Sequence, residues 1–324
     1  MKLVAWLTMS QPDLAKAEVL RLLDGKEKDM VDDLLVLDAQ DWKPALRLAF
    51  TRALYEFWWR APADKLWEQI DAFEWKKHVR GSFAVSVHHG GAVTSKKVAD
   101  RVWHWLETPT VNLKKPDTAI TLFFVDGEVI CGRFLWACKE DFEKRRPHLR
   151  GERHPITCHP RVARALVNLT GAPVGADILD PFCGTGGLMI EAGLMGMRIH
   201  GSDISADMVE VTKKNLEQFS LDARVLVKDA AHLYSPEKYV VTELPYGRSS
   251  GKKTVKELED LYLAFLERLD EMLRVRAVIT YPHTVNMQRL LKKTSLKEIA
   301  LYSERIHRSL TKKIVVLEPG KRHT

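Results

Sequence analysis

Residues 178–187, ILDPFCGTGG, end a short apolar stretch in an acid, Asp180, and follow it with a glycine-rich turn that runs into a second apolar segment. Strand, tight turn and helix N-terminus are where an α/β sheet holds a nucleotide-like cofactor. A dinucleotide fingerprint, G-x-G-x-x-G, needs a third glycine, and its place is taken by Met189. A carboxylate just before the turn repels phosphate and attracts a cation. The sulfonium and amino groups of S-adenosylmethionine (AdoMet) form such a cation. The turn is therefore read as an AdoMet site made by Asp180, Pro181, Phe182, Cys183, Gly184, Thr185 and Gly186.

Two further acids fit the same cofactor. Asp203, followed by Ile204, ends the next apolar stretch 23 residues after Asp180, a spacing that suits a ribose diol. Its plainer role is a helix cap, which Ser205 could also fill. Asp229, followed by Ala230, could accept from the adenine amine, although a lone Asp at a strand end is more often a turn former. The Cys183 thiol invites a nucleophile reading, but nothing near it in sequence is a base. Small-residue packing under the turn is the better account. Glu243-Leu244-Pro245-Tyr246 lies some sixty residues beyond the turn. The Glu243 carboxylate and the Leu244 carbonyl could accept both hydrogens of an exocyclic amine while Tyr246 stacks on its ring. Drawing the lone pair out of conjugation and aiming it at a methyl group is catalysis by positioning and electrostatics. The alternative is a simple strand-end turn with Glu243 in solvent.

The elements that must position these residues follow from periodicity. Beyond residue 155, strands at 176–182, 198–204, 223–230, 238–244 and 276–283 alternate with helices at 187–195, 206–219 and 255–273. A helix at 161–171 stops at Gly171. This alternation predicts a doubly wound parallel sheet, closed by an antiparallel hairpin of 296–307 and 311–319. Ahead of it, two small α+β modules are expected. The first has strands at 3–9 and 33–39, a helix at 11–24 opened by Pro12, and a helix or helix-like segment at 44–59. The second has a strand at 82–89, a helix at 95–107 and a hairpin at 118–136 turning on Asp126-Gly127. A polar, basic linker, residues 138–155, joins the two halves.

All nine tryptophans fall in the first 136 residues, so the halves were not built as one core. Most are spaced as core residues rather than as RNA-stacking platforms. The chain has 324 residues, 45% of them hydrophobic and 29% charged, with a net charge of +7. Such a composition suits a soluble globular protein of two domains and allows a polyanionic partner. No run of about 20 apolar residues suggests a membrane span, and the N-terminal apolar stretch is too short for a secretory signal. Four cysteines without a Cys-x-x-Cys pair argue against a zinc knuckle or disulfide scaffold and for reduced thiols in the cytoplasm. No metal site is expected. Two basic clusters flank the proposed cleft: Arg145, Arg146, Arg150, Arg153 and Arg161 on one side, Arg248, Lys252 and Lys253 on the other. As sets they suit backbone phosphates.

The order of these motifs resembles one family. DPFCGTGG, PYGRSS, the segment 145–172 and the closing RIHRSLTKKI are similar to the archaeal tRNA (guanine-10) N2-methyltransferases over nearly the whole chain. The resemblance implies a ferredoxin-like region at 1–59 and a THUMP RNA-binding domain at 60–137 that docks on tRNA. It further implies a Rossmann-like class I AdoMet-dependent methyltransferase domain at 156–324. Family members can also pair with a small zinc-containing activator protein. At the target site the family has Asp (or Asn)-Pro-Pro-Tyr, whereas this chain has Glu-Leu-Pro-Tyr. Glutamate moves the acceptor forward by about 1.5 Å, Leu244 restores an N–H, and a shift of about 1 Å can cost ~100-fold in rate. The site is retuned or impaired. The readings are thus a methyltransferase of guanine-10 N2 in tRNA, an amino-methyltransferase of another base or of a protein amide, and a tRNA-binding protein with a degenerate site.

Overall fold

The computed structural model describes residues 1–149, 158–246, 254–307 and 310–320. They form two compact units, one of Met1–Leu46 and Phe50–Lys139, the other of Arg47–Ala49 and Glu140–Thr324. The main division of the chain falls between Lys139 and Glu140.

The first unit runs β1 (Lys2–Leu7), α1 (Pro12–Leu22), β2 (Lys26–Val31), β3 (Leu34–Asp38), β4 (Thr51–Pro62), α2 (Leu66–Ala72) and α3 (Trp75–His78). It continues with β5 (Ser82–His88), α4 (Ser95–Trp103), β6 (Thr110–Val111), β7 (Thr118–Val125) and β8 (Glu128–Ala137). Its strands make one sheet in the order β2-β3-β1-β4-β8-β7-β5-β6. The helix expected at 44–59 is not formed. Only Lys43–Arg47 makes a short 3-10 turn, and β4 takes the remainder, antiparallel to β1 on one side and β8 on the other. Thr51, Tyr55, Phe57, Trp58 and Trp59 are β-branched or aromatic, and two flanking strands override an ambiguous apolar run. Because β4 crosses residues 59 and 60, the two expected modules share a single sheet. Strand β2, KEKDMV, has no apolar alternation to announce it, and its charges suit the sheet edge it occupies. The β7–β8 turn is as expected, with Asp126 and Gly127 both at positive φ, as a type I′ hairpin demands. Trp59 and Trp75 are buried and Trp6, Trp42, Trp58 and Trp136 half-buried, in line with the expectation for most of the set, whereas Trp67, Trp103 and Trp105 are exposed.

The second unit runs α5 (Pro160–Thr170), β9 (Asp177–Asp180), α6 (Gly187–Leu194), β10 (Arg198–Asp203), α7 (Ala206–Gln218), β11 (Ala223–Val227) and β12 (Glu237–Glu243). It ends with α8 (Val255–Met272), β13 (Leu273–Pro282), α9 (Met287–Leu291), β14 (Lys297–His307) and β15 (Leu310–Glu318). The sheet order is β11-β10-β9-β12-β13-β15-β14. The first five of these strands are parallel and β15 runs antiparallel to both β13 and β14, which matches the expected doubly wound sheet with its closing hairpin. Helix α8 buries Phe265, Leu266 and Leu269 in a core shared with Val240, Ile279 and Val315 of the sheet. Strand order reverses between β9 and β12, and the carboxyl ends of strands at such a switch point are where an α/β sheet opens a crevice.

Candidate active site at the carboxyl ends of the strands

Asp180, the last residue of β9, is buried. Its Oδ1 accepts from Thr242 Oγ1 at 2.7 Å and from the Phe182 N–H at 3.2 Å. Burial pushes the carboxyl up to about 7. The turn that follows is held from two directions. Gly184, at φ 52°, donates its N–H to Asp203 Oδ2 at 3.0 Å, and the Cys183 N–H donates to the Ser202 carbonyl at 2.9 Å. From α7, Thr212 Oγ1 donates to the Gly184 carbonyl at 2.6 Å and Asn215 Nδ2 to the Thr185 carbonyl at 3.0 Å. These two polar residues one helical turn apart were missed in the sequence. Their signal was a polar pair on the face of α7 that also carries Val209 and Leu216, all four of them buried.

Gly186, at φ 79°, opens α6 in the left-handed conformation. The place of the missing third glycine is resolved by packing: Met189 lies against Gly201 of β10, where a Cβ would collide with the methionine sulfur. Close helix–strand approach is thus achieved by a glycine on the strand instead of on the helix. Cys183 is buried beneath the turn. Burial raises its thiol, and its sulfur lies 3.7 Å from Thr212 Oγ1. Pro181 is buried beside it, and Phe182 packs edge-on against Phe265 at 5.1 Å.

At the end of β10, Ser205 is the residue that caps α7, accepting from the Met208 N–H. Asp203 therefore does not serve as the cap. It holds the turn through Oδ2, and through Oδ1 it accepts from the Ser205 N–H at 2.9 Å. Ile204 beside it is 73% exposed. Asp229 does the turn former's work, accepting from the Ala231 N–H at 3.0 Å, and Ala230 is buried.

Glu243 ends β12 opposite Thr280 of β13. Its neighbour Thr242 carries the bond to Asp180, so the glycine turn and the target motif are joined by one hydrogen bond across adjacent strands. Glu243 Oε1 accepts from Lys312 Nζ at 2.6 Å and from Thr280 Oγ1 at 3.4 Å. The Leu244 N–H, which a proline would lack, donates to the Thr280 carbonyl at 2.9 Å and extends the β12–β13 pairing. The Pro245 carbonyl accepts from Tyr262 Oη at 2.7 Å, and Tyr246 Oη lies 3.3 Å from Thr280 Oγ1. Glu243 is thus not the solvent-facing residue of a simple turn.

The first basic cluster needs correction. Arg145 bonds Glu191 of α6, a wholly buried acid, and also Glu140. Arg164 reaches the same two acids, and Arg161 donates to the Ala49 carbonyl at 2.7 Å. All three guanidiniums lie over the ring of buried Phe142. Arg145 and Arg161, both half-buried, therefore help to hold the segment 140–146 on this unit. The signal was Glu191, an acid in the middle of the apolar run GLMIEAGLM. Arg146, paired with Glu143, remains half-exposed. Arg150, Arg153, Arg248, Lys252 and Lys253 lie outside the described residues.

A parallel sheet that reverses order between β9 and β12, carries an acid-led glycine turn and ends in an antiparallel hairpin defines a class I AdoMet-dependent methyltransferase domain. A family model described as UPF0020, RMKL-like, methyltransferase domain, matches residues 147–314. The tRNA (guanine(10)-N2)-dimethyltransferase of Methanothermobacter thermautotrophicus is 36% identical, across 98% of this chain and 99% of its own. The enzyme of the same name from Pyrococcus abyssi is 35% identical over 77% of this chain and 78% of its own. The solved structure of SMU.472, a putative methyltransferase complexed with SAH, shares the fold over this whole chain and 99% of its own, at 15% identity and a TM-score of 0.50. This chain belongs to the tRNA (guanine(10)-N2)-dimethyltransferase family.

Proposed function

We propose that this protein transfers methyl groups from AdoMet to the exocyclic N2 of guanine 10 in tRNA, twice in succession. The carrying observation is the Thr242–Asp180 bond, which ties the glycine turn to the Glu243-Leu244-Pro245-Tyr246 motif on neighbouring strands. The residues around the turn fit the cofactor. A Cβ on Gly184 would meet nothing closer than 4.0 Å, so the face of the turn is open. Asp203 supplies a carboxylate for the ribose, Ile204 an apolar face for the adenine, and Asp229 a further acceptor at the rim. When bound, AdoMet supplies an electrophilic methyl on a sulfonium. Glu243 and the Leu244 carbonyl accept the two amine hydrogens and turn the nitrogen lone pair out of conjugation, while Tyr246 stacks on the guanine.

Residues 60–137 are read as the THUMP domain and 1–59 as the ferredoxin-like region of the same sheet. The exposed Trp67 and Trp105, with Lys97, Arg101 and His104 near them, combine aromatic and basic side chains in the way an RNA surface does. A zinc-containing activator would add a strand to one of the open sheet edges, β11 or β14, and β11 leaves Leu226 and Val227 exposed. Gel filtration tests that partner, because an active monomer counts against it. The four free thiols suit a cytoplasmic site of action. The main test is transfer of labelled methyl from AdoMet to unmodified tRNA transcripts with guanine or a substituted base at position 10. Incorporation confined to the guanine transcript supports the reading. Equal incorporation into both overturns the choice of base.

A further inference from the structure

Lys312 of β15 belongs to the closing TKKI segment. Its Nζ lies 2.6 Å from Glu243 Oε1, 3.7 Å from Glu304 Oε2 of β14 and 3.8 Å from Cys158 Sγ ahead of α5. The side chain is only 6% exposed. Its titratable neighbours are Glu243, Glu304, Cys158 and Tyr246. Burial raises the Cys158 thiol and the Tyr246 phenol, so both are neutral near pH 7. Two acids therefore share one cation, and Glu304 Oε2 is a buried acceptor with no hydrogen bond of its own.

A lysine so placed is built in at the cost of its own desolvation. It reaches the very residue in which this chain departs from the Asp-Pro-Pro-Tyr pattern. An aspartate at 243, shorter by one methylene, would stop about 1.5 Å short of the ammonium. The longer glutamate is drawn sideways, toward β13 and β15, by Lys312 and Thr280 acting on the same oxygen, Oε1. We propose that Lys312 is the positioning residue of the target site: it anchors one oxygen of Glu243 and aims the other at the amine, so that Glu-Leu-Pro-Tyr is a rebuilt site and not a degenerate one. This rests on the assignment of Glu243 as the amine acceptor.

The test uses the full chain, with single-turnover methyl transfer to tRNA and separate measurement of AdoMet and tRNA binding. Lys312→Met removes the cation but strands two half-buried acids. A second variant, Lys312→Met with Glu304→Gln, removes one acid together with the cation and keeps the net charge of the cluster. In both, the rate of transfer is expected to fall about 100-fold while the two affinities stay within about twofold. Lys312→Arg, which keeps a donor to Oε1, is expected to recover part of the rate. An unchanged rate in the charge-balanced variant, beside an inactive Glu243→Gln, would overturn the positioning role and leave the amine site standing. Loss of both affinities along with the rate would likewise overturn it, by making Lys312 a strut of the fold. A fully active Glu243→Gln would sink the amine-site assignment itself.

Discussion

Asp203 and Asp180 are both carboxylates at strand ends, yet their surroundings give them different chemistry. Asp203 accepts two backbone N–H groups and shapes the turn. Asp203→Ala is expected to weaken AdoMet binding about 10- to 100-fold by calorimetry, the scale of losing a charged hydrogen bond. Unchanged affinity would remove it from the site. Asp180 is buried, and its carboxyl is pushed from 3.8 up to about 7, chiefly by burial. An acid whose pKa is raised on folding binds more protons in the native state between those values. Its contribution to stability is therefore present below pH 4 and is lost as the pH rises toward 7. Without AdoMet, Asp180→Asn is expected to gain stability over wild type at pH 8 by a few kcal/mol and to gain little near pH 4. Denaturant melts at the two pH values check this, and an equal difference at both would refute the burial argument. The places of these acids at strand ends were legible in sequence because a strand end followed by a turn is a local pattern. Thr212, Asn215 and Lys312 were not legible, because their partners are 28, 30 and 69 residues away.

Among the elements, α6 and α5 are joined by charge where their composition suggests an apolar contact. Glu191 is fully buried between Arg145 and Arg164. Glu191→Ala would leave two guanidiniums of the α5–α6 layer without their shared acid, and is expected to cost about 3–5 kcal/mol in urea melts. A cost below about 1 kcal/mol would mean that Glu140, which both arginines also reach, suffices alone. Helix α8 makes the apolar counterpart on the same sheet. Phe265→Ala is expected to cost about 3–5 kcal/mol and to loosen Phe182, which rests edge-on against that ring. Helices α5 to α8 and all seven strands of this unit were legible from period and caps. Strand β4 was not, because its apolar run satisfies either period and only the partners β1 and β8 decide it.

At the scale of the whole molecule, the net charge of +7 makes tRNA binding salt-dependent, and the slope counts the phosphates contacted. The arginines divide by burial. Arg146→Ala is expected to lower the magnitude of the slope by about one, while Arg145→Ala should leave the slope alone and lower stability instead. Affinity measured across a salt series, beside urea melts of the same variants, separates the two. A changed slope for Arg145→Ala would return that residue to the RNA surface.

The sequence by itself determined the methyltransferase sheet and the family. Each of these rests on residues close together in the chain or on a period of two or 3.6, where local sterics and burial of one face settle the outcome. Only the tertiary structure decided what lies across a strand or a layer. It turned 51–62 into a strand shared by two expected modules, laid Arg145 and Arg161 over Phe142, replaced the missing third glycine by Gly201, and set Lys312 on Glu243. The pairing of a charge or the filling of a gap depends on which distant atoms the fold brings within 3 or 4 Å, and no local pattern encodes that distance.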